Sequence, residues 1–183
     1  MRVSVETEQS AFDRASKMLE GIPGGVEQAM MRAQNRALQE GRTAGTREVT
    51  KAYTVKAKDV RSTFAMHRAS KSDLNAELVS RGKRLPLSVF AHTPRQDTTG
   101  ANHKQVRVGV LQGGLKPLGQ AFIHKGMVMQ RLYAHRLPVQ QKFGPSIPSM
   151  LDNEQVVDKV VDTMQKAVDK RLEHETNQIL NKY

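Results

Sequence analysis

The sequence contains no cysteine and no tryptophan. The first absence excludes disulfides, thiolate metal sites and a cysteine nucleophile, and it removes any need for an oxidising compartment. Aromatic residues make up only 4% of the chain, against 38% hydrophobic residues overall. A core built from those proportions forms but stays lean, and lean cores often draw stability from partners, because the buried fraction grows with the size of the assembly. Long apolar runs are missing as well. No segment approaches the roughly eighteen consecutive apolar residues of a membrane span. The N-terminal stretch "MRVSVETEQSAFDRASKM" has no apolar run resembling a secretory signal. The expectation is a soluble protein kept in a reducing compartment, with no membrane partner.

Acidic residues are in short supply: 18 Asp and Glu face 29 Lys and Arg, a net charge of +11. The imbalance is uneven. From Asp152 to the end there are seven acids and five bases, so the first 151 residues carry +13. A basic body with a near-neutral tail suits contact with nucleic acid or with an acidic protein surface, and a plainly solvated basic face has the same composition.

Recognisable chemistry is also missing. His67, His92, His103, His124, His135 and His174 are scattered singly, with no HxH or HxxxH pair and no adjacent carboxylate ligand set, so the expectation is no metal and no cofactor. "GVLQGGLKPLGQ", with Gly109, Gly113, Gly114 and Gly119, lacks both the P-loop and the dinucleotide-binding spacing and reads as a Gly-Gly turn. Ser146 lies between prolines without a nucleophile elbow around it. Catalysis has no foothold, and the chain is expected not to be an enzyme. Arg42, Arg47, Lys51, Lys56, Lys58, Arg61, Arg68 and Lys71 follow one another closely, yet neither a helix-turn-helix nor interleaved aromatics accompany them. They support non-specific attraction to phosphates at most, with a solvated face or an acidic neighbour as equal readings.

What is present has a clear order. Ser10 can cap a first helix with Phe12, Ala15, Met18 and Leu19 on one face, and "GIPGG" ends it. A longer helix follows, marked by Val26, Ala29, Met30, Ala33, Ala37, Ala44 and Val49, with a bend or a close contact expected at Gly41 and Gly45. A short helix is expected near Ala57 to Ser62, then a strand. Beyond it the period drops to two: "LNAELVSRG", "LPLSVFAHTPR", "KQVRVGVLQGG", "QAFIHKG" and "MVMQRLYAHRLPV" read as strands, the alternation of Val106, Val108 and Val110 being clearest. From Pro148 onward one long amphipathic helix is expected, with Asp152 at its positive end. The fold class is α+β: N-terminal helices, a central antiparallel sheet of four to six strands and a long C-terminal helix. As one domain over 1–183 it divides into a helical arm (1–53), a sheet region (54–147) and the last helix (148–183).

"RLPVQQKFGPSIPSML", Arg136 to Leu151, packs three prolines and a glycine between sheet and helix. Pro138 pre-sets an extended chain, Gly144-Pro145 is expected to turn it, and Pro148 suits the first turn of a helix, where a missing amide proton costs nothing. The reading is a rigid elbow. This stretch resembles the signature near the C-terminus of the minor tail protein Z family of tailed, lambda-like bacteriophages and prophages, where an RLP and a GPSIP element precede a last helix. "AYTVKAKDVRSTFAM" and "KRLPLSVFAHTPR" are similar to two further segments of that family, so the likeness spans about Glu40 to Leu151. The polar, basic "TPRQDTTGANHKQ" departs from its pattern.

The resemblance implies a structural, non-enzymatic virion protein: a tail-completion or neck subunit at the head-proximal end of a long tail, assembled in the host cytoplasm. It implies a homo-oligomeric ring, six copies expected, beside the tail terminator and the head-tail connector, with a role in head-tail joining and in placing the DNA end. On this reading Arg136, Pro138, Gly144, Pro145, Ser146 and Pro148 form a subunit-docking elbow. Arg42, Arg47, Lys51, Lys56 and Lys58 are then candidates to face genomic DNA in the lumen. The alternative is a basic nucleic-acid-binding module acting alone through phosphate contacts.

Overall fold

The computed structural model describes residues 1–5, 7, 9–98 and 104–182. Its frame is a pair of long helices, α2 (Gly25–Ala52) and α5 (Glu154–Leu180). They run antiparallel, since Glu48 near the end of α2 meets Lys159 near the start of α5 (3.2 Å), while Arg32 meets Glu175 (2.9 Å). Small residues allow the approach. Ala29, Ala33, Ala37 and Ala44 are buried on one face of α2, against Val160, Met164, Val168 and Leu172 of α5. At Gly41 an added Cβ would lie 2.4 Å from Met164 Sδ, so the two sequence-expected glycines do mark a close contact. α1 (Gln9–Met18) lies against the far end of the pair, where Ala11, Ala15 and Leu19 join Met30, Leu172 and Ile179 in a second apolar cluster.

The class is α+β, as the period change in the sequence indicates. The strands, however, are distributed over several small antiparallel sheets. One has the order β1-β3-β2 (Arg2–Ser4, Glu77–Ser80, Phe64–His67), a second β5-β6-β7 (Ala91–Thr93, Arg107–Gly109, Lys116–Pro117). A third is β8-β9-β10 (Ala121–His124, Met127–Arg131, Val139–Gln141), and β4 (Arg84–Pro86) pairs with β11 (Phe143–Ser146). The strands are two to five residues long because Pro86, Pro117, Pro138 and the Gly113-Gly114 turn, with φ of 110° and 133°, interrupt the ladders. Val106 and Val108 are buried and Val110 half-buried, as their alternation requires. The stretch "MVMQRLYAHRLPV" is a strand only to Arg131; the chain then loops out and returns as β10 through a cis Leu137–Pro138 bond. All four sheets share one core with the helices, Leu78, Phe90, Val106, Ile123 and Val128 packing with Val49, Met150 and Val160.

The helix expected to run unbroken from Pro148 is two helices, α4 (Ile147–Leu151) and α5. Asn153 is extended (ψ 126°) and its side-chain oxygen accepts from Gln155 N at 3.1 Å, capping α5. The break lets Ile147, Met150 and Leu151 enter the core from α4 on a different axis from Val156 and Val160. Asp152 therefore closes α4 rather than opening the long helix. α3 (Ala57–Ser62) stands where the sequence places it.

Candidate functional site

The structure divides the elbow. Arg136 and Pro138 belong to the exposed loop between β9 and β10, residues 132–138, which also presents Leu132, Tyr133 and Leu137 at 47%, 64% and 68% exposure. Three large apolar side chains on one short loop are unusual for a surface that meets only water. Arg136 and Leu137 also line an open groove of about 600 Å³ with Leu118, Phe122 and Val139, where Arg131 sits 5.0 Å over the Phe122 ring.

Of the other four elbow residues, Gly144 is buried and Pro145, Ser146 and Pro148 are half-buried. Gly144-Pro145 is not a turn: both lie in β11, at a register shift between Phe143 and Ser146 along β4. An irregular ladder leaves room for a residue with no amide donor, which is why proline fits there. Gly144 is buried, and an added Cβ would come within 2.6 Å of Phe90 Cε2 and 3.3 Å of Leu87 Cδ2. Ser146 caps α4, its Oγ accepting from Ser149 N at 3.3 Å, and Pro148 occupies the first turn. Ile147, Met150 and Leu151 are almost fully buried. Within the GPSIP element Gly144 and Ile147 thus pack into the interior, while Arg136 and Pro138 lie on the exposed loop before it.

The five candidate DNA-facing cations do not share a face either. Arg47 and Lys51 are one turn apart on α2, whereas Arg42 lies about 140° to 180° away around the helix axis. Arg42 is half-buried, and its Nη2 donates to the carbonyl of Arg61 at 3.3 Å, tying the end of α3 to α2. Arg47 and Lys51 surround Glu48, which also accepts from Lys159. Burial pushes the Glu48 carboxyl up. The Lys159 hydrogen bond and charge, with Lys51 and Arg47 beside them, outweigh that and hold it below its ordinary value of 4.5. Lys56, at the N-cap of α3, and Lys58 within it are exposed.

A different basic surface emerges instead. Arg81 N donates to Thr63 O at 3.1 Å, and Ser80 Oγ lies 2.9 Å from Thr63 Oγ1. The exposed "RGKR" segment, the β3–β4 loop and the first residue of β4, is thereby fixed beside the end of α3, nearly twenty residues earlier in the chain. Sequence spacing gave no sign of this, because β2 and β3 must pair before the two segments meet. A third polar feature is Glu175, buried, which takes Arg32 on one oxygen and Arg171 on the other (2.9 and 2.7 Å) and links α2 to α5.

Of the six histidines, His103 lies outside the described residues, as do residues 99–102 of the departing "TPRQDTTGANHKQ" segment. The beginning of that segment is anchored: Thr98, buried, exchanges hydrogen bonds with Ile123 on β8. No group of three metal-ligating side chains occurs among the described residues. Among the same residues no helix is long and apolar enough to cross a membrane.

A family model described as prophage minor tail protein Z matches residues 11–183. No curated protein and no solved structure matches the chain.

Proposed function

The chain belongs to the prophage minor tail protein Z family and is a structural protein of a phage tail; on that premise we propose that it is a tail-completion subunit that closes the head-proximal end of the tail as a ring, six copies per tail. The ring sits beside the tail terminator and the head-tail connector and helps to join head and tail and to position the DNA end.

The observation that carries this reading is the exposed apolar loop, residues 132–138. Leu132, Tyr133 and Leu137 lie outside the core of their own subunit, which is filled from α4, from β3, β6, β8 and β9, and from the long helices. A closed ring uses two different surfaces of each copy, one inserting into the next. An aromatic flanked by leucines is the kind of anchor that carries such contacts. Arg136 and Pro138 belong to this docking loop. Gly144, Pro145, Ser146 and Pro148 support it from behind by fixing where β10 and β11 enter the sheets. Stiffness there lowers the ordering cost of docking.

The test is a phage deleted for this gene and complemented with Tyr133→Ser/Leu137→Ser. The variant chain should stay folded as a monomer, because both side chains are already largely exposed. It should fail to enter tails and to restore plaques. Normal infectivity of the deletion phage would sink the tail-completion role. Wild-type ring formation by the double variant would remove the loop from the interface.

A further inference from the structure

We propose that the surface formed by α3 and the β3–β4 loop, carrying Lys56, Lys58, Arg61, Arg81, Lys83 and Arg84, is a binding site for the phosphate backbone of duplex DNA. The proposal rests on the reading of the subunit as one that meets the DNA end, and it replaces the α2 cations with a different set. All six side chains are exposed. Among the described residues none of them forms an ion pair. Of the carboxylates on α3, on β3 and at the end of α4, Glu77 pairs with Arg2 (2.8 Å) and Asp152 with the N-terminal amine (3.6 Å), which leaves Asp59. The α2–α5 face is different. There Arg32, Arg36, Lys159, Lys166 and Arg171 each have a carboxylate within 3.2 Å.

The patch is held in shape rather than being a chance run of charge. Arg42 fixes the carbonyl end of α3, Thr63 fixes the loop, and Arg84 Nε donates to Gly144 O at 3.4 Å. Gly82 is wedged between Thr63 and Pro148: a Cβ there would touch Pro148 Cδ at 3.4 Å and Thr63 Cγ2 at 3.5 Å. The GPSIP element thus supports the basic loop from below. That gives the proline-rich stretch a second consequence, in addition to bracing the docking loop.

The patch fits a polyphosphate better than a protein neighbour. Protein interfaces have an apolar centre, and none of the exposed large apolar residues lies on α3 or on residues 81–84. No aromatic side chain is exposed there for stacking on bases, so contact is with sugar and phosphate, without sequence reading. Repetition of the patch around a ring multiplies a local field that is screened over about 8 Å at physiological salt.

The experiment is fluorescence anisotropy of the purified full chain with a labelled random duplex of about 20 base pairs, between about 50 and 200 mM salt. Four phosphate contacts give a slope of log K against log salt of about −4. Arg61→Gln/Arg81→Gln/Lys83→Gln should bring that slope to about −1 and weaken binding at about 0.1 M salt by about 100-fold or more. The control Lys17→Gln/Lys116→Gln/Lys125→Gln removes the same charge elsewhere and should leave the slope in place. Unchanged far-UV circular dichroism and melting temperature establish that both variants are folded. No binding by the wild-type chain overturns the proposal, as does an equal loss in the control. So does wild-type DNA binding by the patch variant; if that variant also drops out of particles, the surface belongs to an acidic protein neighbour. Mass spectrometry of purified particles separates this from the tail reading: absence of the wild-type chain sinks that reading, while its presence without DNA binding sinks only the phosphate site.

Discussion

Gly144→Ala is the sharpest test of whether the GPSIP element is internal bracing. The added methyl lies 2.6 Å from Phe90 Cε2 and 3.0 Å from Cζ, inside any normal contact, with Leu87 Cδ2 at 3.3 Å behind them. Phe90 is 2% exposed and cannot swing into solvent, so the ring and β11 must separate. Overpacking of this kind costs about 1–3 kcal/mol. Loss of glycine's freedom in the unfolded chain returns about 0.4–1 kcal/mol. The net expectation is destabilisation by about 1–2 kcal/mol, or about 2–8 °C in melting temperature for a chain of this size. Urea titration with an unchanged m-value measures it. Two companions sharpen the result. Gly119→Ala has nothing within 4 Å of its new Cβ and should be neutral or slightly stabilising. Phe90→Leu should couple to Gly144→Ala, because the smaller side chain vacates the disputed space, so the double variant is less destabilised than the sum of the two singles. An unchanged or raised melting temperature for Gly144→Ala, or strict additivity with Phe90→Leu, would refute the packing argument and return Gly144 to the list of surface docking residues.

Two further predictions concern the α2–α5 pair. Because Glu48 is held below its ordinary value of 4.5, the stability it contributes is complete above that value and is lost as the pH falls through its lower folded value. Lys159→Gln removes the largest lowering influence and should flatten the fall in stability as the pH drops below 4.5, read from thermal melts; an unaltered acid limb would show that the pair is not coupled to folding. Glu175→Ala leaves Arg32 and Arg171, about 40% exposed, to rehydrate, so the loss should be about 2–3 kcal/mol in denaturant rather than the larger cost of an unpaired buried charge. A loss under about 0.5 kcal/mol would mark the triad as surface decoration.

The charge of the body was evident in composition, but its arrangement was not. A run of cations along a helix end looks like a cluster when written in a line. On a helix, residues five and nine apart point in different directions, and that alone separates Arg42 from Arg47 and Lys51. The dense basic surface arises where strand pairing brings residues 81–84 to the end of α3. Exposed apolar side chains were equally hidden, since Leu132, Tyr133 and Leu137 are residue types a core would use.

The sequence alone determined the first three helices, the change of period after Ser62, the class of the fold and, through the GPSIP, AYTVKAK and LPL segments, the family. These are properties of local spacing: a 3.6-residue stripe, a two-residue alternation and a proline at a first turn all act within a few residues of one another. Tertiary structure alone decided that Gly144-Pro145 continues a strand, that the last helix breaks at Asn153, that the strands fall into four small sheets, and which charges meet. Each of these depends on partners distant in the chain. Phe90 leaves room only for a glycine, β4 accepts a bulged strand with a proline in it, and the core takes Met150 and Val160 from two helix axes instead of one. Close packing sets such choices, and it acts between surfaces that local sequence does not bring together.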